Sequence, residues 1–180
     1  MSETDRLTTL VDRLLGPKTQ PTFSLRNIHQ PLEIVRQLIE MESPPSLQIV
    51  RDYDPSIPDL TFDHELMVQV FLNIARNAIQ SLENTDKPTL TLRTRVEHQL
   101  TISSKQHRLV ACIEINDNGC GVPDSLAEKF FFPLITGRSE GTGLGLSVAQ
   151  SIVHLHHGLI EFESKPGDTT FTILIPWEPT

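Results

Sequence analysis

Apolar residues recur every three to four positions in three long stretches of this chain and alternate with polar ones in five shorter stretches; the two periods separate helices from strands. Between Asn27 and Met41, Ile34, Val35, Leu38 and Ile39 form one helical face, with Pro31 confined to the first turn and Pro44-Pro45 ending the element. A second helix is expected from His64 to Leu82, with Asp63 as its N-cap, and a third from Leu144 to His157, stopped at Gly158. Leu47 to Tyr53, Thr89 to Val96, Arg108 to Asn116, Leu159 to Ser164 and Thr170 to Pro176 alternate as strands. The polar His98 to His107 stretch reads as a long hairpin tip, and Pro166-Gly167 as the turn of a closing hairpin. Pro123 to Phe130 suggests a short helix with Pro123 at its first position.

The first residues carry a weaker signal. Leu7, Leu10 or Val11, and Leu14 or Leu15 form a stripe over Thr4 to Leu15, which Gly16-Pro17 stops. Such a helix is marginal alone, so it is either the end of a longer helical element or a terminal helix that docks on its own domain. Long helices interleaved with strands that are mostly joined as hairpins predict an α+β two-layer sandwich, a mixed sheet of about five strands packed on three helices. A doubly wound fold needs parallel crossovers and a glycine loop directly after the first strand, and neither is present.

Composition narrows the class of partner. The 180 residues suffice for one domain with its own core, and 38% hydrophobic with 21% charged residues is ordinary for a globular chain. A formal charge of −8, with no Lys/Arg run, argues against nucleic acid and for a protein partner. Cys112 and Cys120 do not form a CxxC pair, and no apolar run reaches the roughly 20 residues that span a bilayer. The expectation is a cytoplasmic protein with free thiols and no membrane segment.

Four short motifs can carry chemistry. Asn73 and Asn77 lie four residues apart at the border of an apolar helical stripe, where amide oxygens suit Mg²⁺, although solvated or capping amides look the same. DNGCG, Asp117 to Gly121, follows a strand directly, so Asp117 presents a carboxylate at a strand end that can accept from the exocyclic amine of adenine. Gly119 and Gly121 would let that backbone turn tightly; alone, the motif is just a turn. GTGLGL, Gly141 to Leu146, opens a helix, and the amides of Gly143, Leu144 and Gly145 at a helix N-terminus form a phosphate cradle. Between FFFP at Phe130 to Pro133 and Gly141 lies a short loop with Arg138, read as a lid whose arginine reaches a γ-phosphate, or as a surface loop. His154, His156 and His157 match no zinc pattern and fit a helix C-cap better than a metal site.

In this order the Asn box, DxGxG, Phe box and GxGxG resemble the ATP-binding catalytic domain of sensor histidine kinases, within the superfamily that includes gyrase, Hsp90 and MutL and has the Bergerat fold. LVDRLLGP, RDYDPSIPDL, LRTR and ITGRSEGTGLGLS are similar to the nitrogen-regulation, NtrB-type branch. The resemblance implies ATP and Mg²⁺ as cofactors, Asn77 as metal ligand, and Asn73 supporting phosphates or metal. It places adenine on Asp117 with Gly119 and Gly121 shaping its pocket. Gly141, Thr142, Gly143, Leu144, Gly145 and Leu146 then form the phosphate loop, and Gly167 and Thr169 contact the base.

It also implies that residues 1–17 are the tail of a dimerising helical hairpin and 18–180 the catalytic domain. Expected partners are the hairpin's acceptor histidine, an NtrC-like response regulator and a PII-type regulator. The chain departs from the family at three places. It has no HExxNP-like acceptor signature, Gln80 stands where many relatives have Lys, which shifts the cationic role toward Arg76 or Arg138, and the last glycine motif is shortened to PGDTTF. Asn73 occupies the place of the Glu that activates water in hydrolytic relatives, so histidine phosphorylation is favoured over a gyrase-type ATPase. A nucleotide-sensing module without chemistry is the rival from another class.

Overall fold

The computed structural model describes residues 20–123 and 144–177. The expected helix at Thr4 to Leu15, all of the expected Pro123 to Phe130 helix after Pro123, the Phe box, Arg138 and Gly141 to Gly143 lie outside the described residues. The elements in chain order are β1 (Phe23–Arg26), α1 (His29–Glu42), β2 (Gln48–Asp52), β3 (Leu60–Asp63), α2 (His64–Ser81), β4 (Thr89–Ile102), β5 (Lys105–Asp117), α3 (Gly145–Leu155), β6 (Leu159–Lys165) and β7 (Asp168–Pro176).

A five-stranded sheet runs in the order β2-β4-β5-β7-β6, parallel only between β2 and β4. The mixed α+β sandwich expected from the periodicity is the fold observed. Inward residues of alternate strand positions, Leu90 and Leu92, Ile113 and Ile115, Phe171 and Ile173, meet Val35, Phe71, Ile74 and Val153 of the helices in one core. The helices lie side by side with α2 in the middle, packed on α1 at one flank and α3 at the other. Each helix buries one stripe; that of α2 includes Met67, Val70, Phe71, Ile74 and Ala78. Asp63 caps α2 as its position implied, its Oδ1 accepting from the Leu66 amide at 3.0 Å.

Three features differ from the sequence reading. β2 and β4 pair parallel through a crossover that contains α2, where no parallel crossover was expected. The stretch expected as a hairpin tip is strand for most of its length, closed by a two-residue turn in which Ser103 and Ser104 take φ of 47° and 71°. Leu100 and Ile102, two apolar residues in a polar stretch, hold it there, packing with Val110, Cys112 and Leu174 in a small second cluster. β1 and β3, four residues each, pair antiparallel from Phe23↔Asp63 to Arg26↔Leu60 as a separate two-stranded sheet. Elements that short leave too little alternation to detect.

Candidate functional site

One face of α2 runs through the site. Asn73, Asn77 and Ser81 are spaced by four residues and so stack along the helix, about 12 Å from first to last at 1.5 Å per residue. At one end the Asn73 Nδ2 donates to the Gly145 carbonyl at 3.0 Å, which joins α2 to the start of α3. The first hydrogen bond of α3 runs from the Val148 amide to the Leu144 carbonyl, so the amides of Gly145, Leu146 and Ser147 have no partner within the helix. These amides and the positive end of the helix dipole lie beside the Asn73 amide. A Cβ on Gly145 would meet Asn73 at 3.6 Å or more, an ordinary contact, so crowding by Asn73 is not what requires this glycine.

Arg76 takes no part in that face. Its guanidinium pairs with Glu42 of α1, Nη2 to Oε1 at 2.7 Å and Nε to Oε2 at 3.2 Å, on the flank away from α3. Of the two cationic candidates, Arg76 is therefore committed elsewhere.

At the other end, β5 delivers Asp117 to the C-terminus of α2, with 1% of the residue exposed. A buried carboxylate must be hydrogen-bonded, and two donors converge on Oδ1: the Ser81 hydroxyl at 2.5 Å and the Gly119 amide at 2.9 Å. The Cys120 amide donates to the Ser81 carbonyl at 3.2 Å, so residue 81 grips the DNGCG turn with side chain and backbone together. Gly119 is glycine for a steric reason: an added Cβ would lie 2.5 Å from the Ser81 carbonyl oxygen and 2.7 Å from Asp117 Oδ1. Gly121 has φ of 78°, and a Cβ there would meet the Lys165 backbone at 2.9 Å.

Thr169, 3% exposed, stands directly opposite Asp117 in the β5–β7 ladder. Its hydroxyl lies 2.8 Å from Ser164 Oγ, which also accepts from the Val122 amide at 2.8 Å. The Gly167 amide donates to the Gly119 carbonyl at 2.8 Å. The turn between β6 and β7 and the DNGCG turn are thus tied into one floor.

The end of α3 is fixed to the start of α2 by His156. Its Nδ1 lies 2.7 Å from the Ile152 carbonyl and its Nε2 accepts from the Asp63 amide at 3.0 Å, so the proton sits on Nδ1 and the ring is neutral. Burial holds its pKa below the ordinary histidine value, against the opposing pull of the Ile152 carbonyl and the Asp63 carboxylate. The Ile152 bond is a C-cap, as expected for this cluster. A surface cavity of about 540 Å³ opens between Gln80, Glu83 to Thr85, Asn118 to Cys120 and Gly167. Asp117, Asn73 and Asn77 do not line it, so it adjoins the site rather than forming it.

The structure therefore brings Asn73 to Gly145, and Asp117 to Gly119 and Thr169, with Asn77 half-buried on α2 between the two groups. The sequence reading missed Ser81 and Ser164. Ser81 was within reach, because it continues the four-residue spacing of Asn73 and Asn77. Ser164 becomes visible only through the β6–β7 pairing.

Residues 62–179 match the family described as histidine kinase-, DNA gyrase B-, and HSP90-like ATPases. The chain belongs to this ATPase family. Within it, the sensory histidine kinase/phosphatase NtrB of Vibrio alginolyticus is 48% identical over 176 residues, covering 98% of this chain and 50% of that protein. The chain thus spans about half the length of the curated relatives it matches. The nucleotide-free catalytic domain of histidine kinase ThkA superposes with a TM-score of 0.72 at 23% identity, covering 87% of this chain and 96% of that one. ThkA in complex with the response regulator protein TrrA gives 0.73 at 22%, covering 98% and 49%. At these identities the two structures establish the fold, that of histidine kinase ATPase domains, and family membership implies nucleotide use.

Proposed function

We propose that this chain is the ATP-binding catalytic domain of an NtrB-type sensor histidine kinase, which transfers the γ-phosphoryl group of ATP to a histidine on a dimerisation domain for relay to an NtrC-like response regulator. The observation that carries the reading is the single face of α2 that sets Asn73, Asn77 and Ser81 between the amides of the α3 N-terminus and the buried Asp117 carboxylate.

In this reading Asp117 accepts from the exocyclic amine of adenine, with Thr169 beside it. The α3 amides and dipole receive the phosphates together with the loop at Gly141 to Gly143. The donor set at Asn73 and Asn77 fits Mg²⁺: two neutral amides offer hard oxygens and leave charge balance to the phosphates. When bound, the metal neutralises charge on the transferred phosphoryl group. Asn73 spends its Nδ2 on Gly145, which orients the amide and leaves its oxygen as the ligating atom. An amide cannot take a proton from water at neutral pH, so nothing at residue 73 promotes hydrolysis. Arg138 serves as the cation for the γ-phosphate, since Arg76 is held by Glu42.

The NtrB relatives support the partners, and the solved complex of ThkA with TrrA supports a response regulator; the PII-type regulator rests on the NtrB resemblance alone. The reading places the protein in the cytoplasm. Among the described residues no helix is long and apolar enough to cross a membrane.

The test mixes the chain with γ-labelled Mg·ATP and a separately made, His-bearing dimerisation domain of an NtrB-type kinase, following label and free phosphate together. Acid-labile label on the partner that disappears with Asn77→Ala is the expected result. Free phosphate without label would indicate a slow ATPase, and neither product a nucleotide-sensing module.

A further inference from the structure

Ser81 lies outside the Asn box and the glycine motifs, yet both its side chain and its backbone carbonyl bind the DNGCG turn at the base end of the site. Its hydroxyl has one proton and two acceptors within reach, the Ala78 carbonyl at 2.8 Å and Asp117 Oδ1 at 2.5 Å. The carboxylate is the stronger and nearer acceptor, so the proton goes to Asp117. The Gly119 amide arrives at the same oxygen, and the backbone of Ser81 holds the next residue of the turn through the Cys120 amide. Ser81 is also the last residue of α2, whose first turn is capped by Asp63. Its position is set by the whole length of that helix.

Donors on Oδ1 do two things. They fix the rotation of a carboxyl group that would otherwise turn about its own bond, and they hold it as an acceptor. An acceptor at this place suits a purine with a 6-amino group and opposes one with a 6-oxo group, whose oxygen would face the carboxylate. We infer that Ser81 is a positioning residue for base specificity: by donating to Asp117 Oδ1 it orients the carboxylate that selects a 6-aminopurine triphosphate over a 6-oxopurine one. This rests on the proposal that Asp117 receives the base, and adds a residue that never touches the nucleotide.

The experiment measures equilibrium affinities of the full chain, in Mg²⁺, for ATP, ITP and purine riboside triphosphate, which lacks any 6-substituent. Wild type, Ser81→Ala and Ser81→Thr are compared, with a thermal melt of each to show that it folds. The expected result is that Ser81→Ala binds ATP about tenfold more weakly while its affinity for purine riboside triphosphate stays within about twofold, so the preference for ATP collapses. Ser81→Thr, which retains the hydroxyl, restores the preference. Equal weakening of all three nucleotides by Ser81→Ala, or an unchanged preference, overturns the role of Ser81 while leaving Asp117 as the base site. A wild-type chain that binds the three nucleotides equally overturns the base reading itself, and Ser81 with it.

Discussion

At the scale of single residues the proposed base site depends on Asp117 and the groups packed around it. Replacing it by Asn puts an amide where Ser81 and Gly119 both donate to Oδ1. Asp117→Asn is therefore expected to weaken ATP binding by at least about tenfold in an isothermal titration; unchanged affinity would remove Asp117 from the base site. Gly119→Ala crowds the same place, because its Cβ would stand 2.5 Å from the Ser81 carbonyl oxygen. Denaturant unfolding should show a loss of about 1–3 kcal/mol. Arg76→Ala is the contrasting case. Its partly exposed ion pair with Glu42 lies off the asparagine face, so the expected cost is below about 1 kcal/mol, with ATP affinity unchanged. A large loss of affinity in Arg76→Ala would return this residue to the site. The strand-end place of Asp117 and the shared helical face of the two asparagines were legible in the sequence because a strand end and a four-residue helical spacing have fixed geometric meaning. Ser164 was not, since its place depends on a tertiary pairing with Thr169.

At the scale of elements, α2 is the part that matters, and both its ends are held by side chains. Asp63 accepts from the Leu66 and Thr22 amides with separate oxygens. Burial alone would raise its pKa, but the amides of Leu66, Thr22 and Glu65, with His156 adding to them, outweigh burial and keep it below the ordinary aspartate value. Asp63→Ala should cost about 1–2 kcal/mol through the lost cap, read as a lower melting temperature. His156 makes the same junction sensitive to acid. Its folded pKa is lowered, so between that value and the unfolded one near 6.5 the unfolded chain binds more protons. The stability it contributes is complete above the unfolded value and falls as pH drops through this window. Protonation would also set an Nε2–H against the Asp63 N–H. Melting curves from pH 8 to pH 5 should show this decline, and His156→Gln should flatten it. His29 titrates in the same direction, its pKa lowered chiefly by burial, so some slope persists in the variant. An unaltered slope in His156→Gln would contradict the assignment. The long helices and most strands followed from periodicity, whereas β1 and β3 escaped it because four residues carry too few alternations. The extended β4–β5 hairpin escaped because Leu100 and Ile102 are isolated among polar neighbours and are buried only on the second cluster.

At the scale of the whole molecule, the sheet and its helical layer form a frame that holds two groups apart at a set distance. In the proposed reading one group, Asn73, Asn77 and the start of α3, takes the metal and phosphates, and the other, Ser81, Asp117 and Thr169, takes the base. Asn73 itself cannot take a proton from water, which fits the proposed delivery of a phosphoryl group to another protein. That the ends are joined by one rigid helix was implicit in the spacing of its residues; that the base end is floored by the β6–β7 turn was not, because the Gly167 to Gly119 bond links residues far apart in sequence. The most direct measurement follows the backbone amide resonances of the ¹⁵N-labelled chain as a non-hydrolysable Mg·ATP analogue is added. The largest shifts are expected at Asn73, Asn77, Ser81, Gly119, Thr169 and Gly145 to Ser147, with the Ser103-Ser104 turn unmoved. Shifts centred on that turn, or on Glu83 to Thr85, with Asn73, Asn77 and the start of α3 unaffected, would contradict the proposed site.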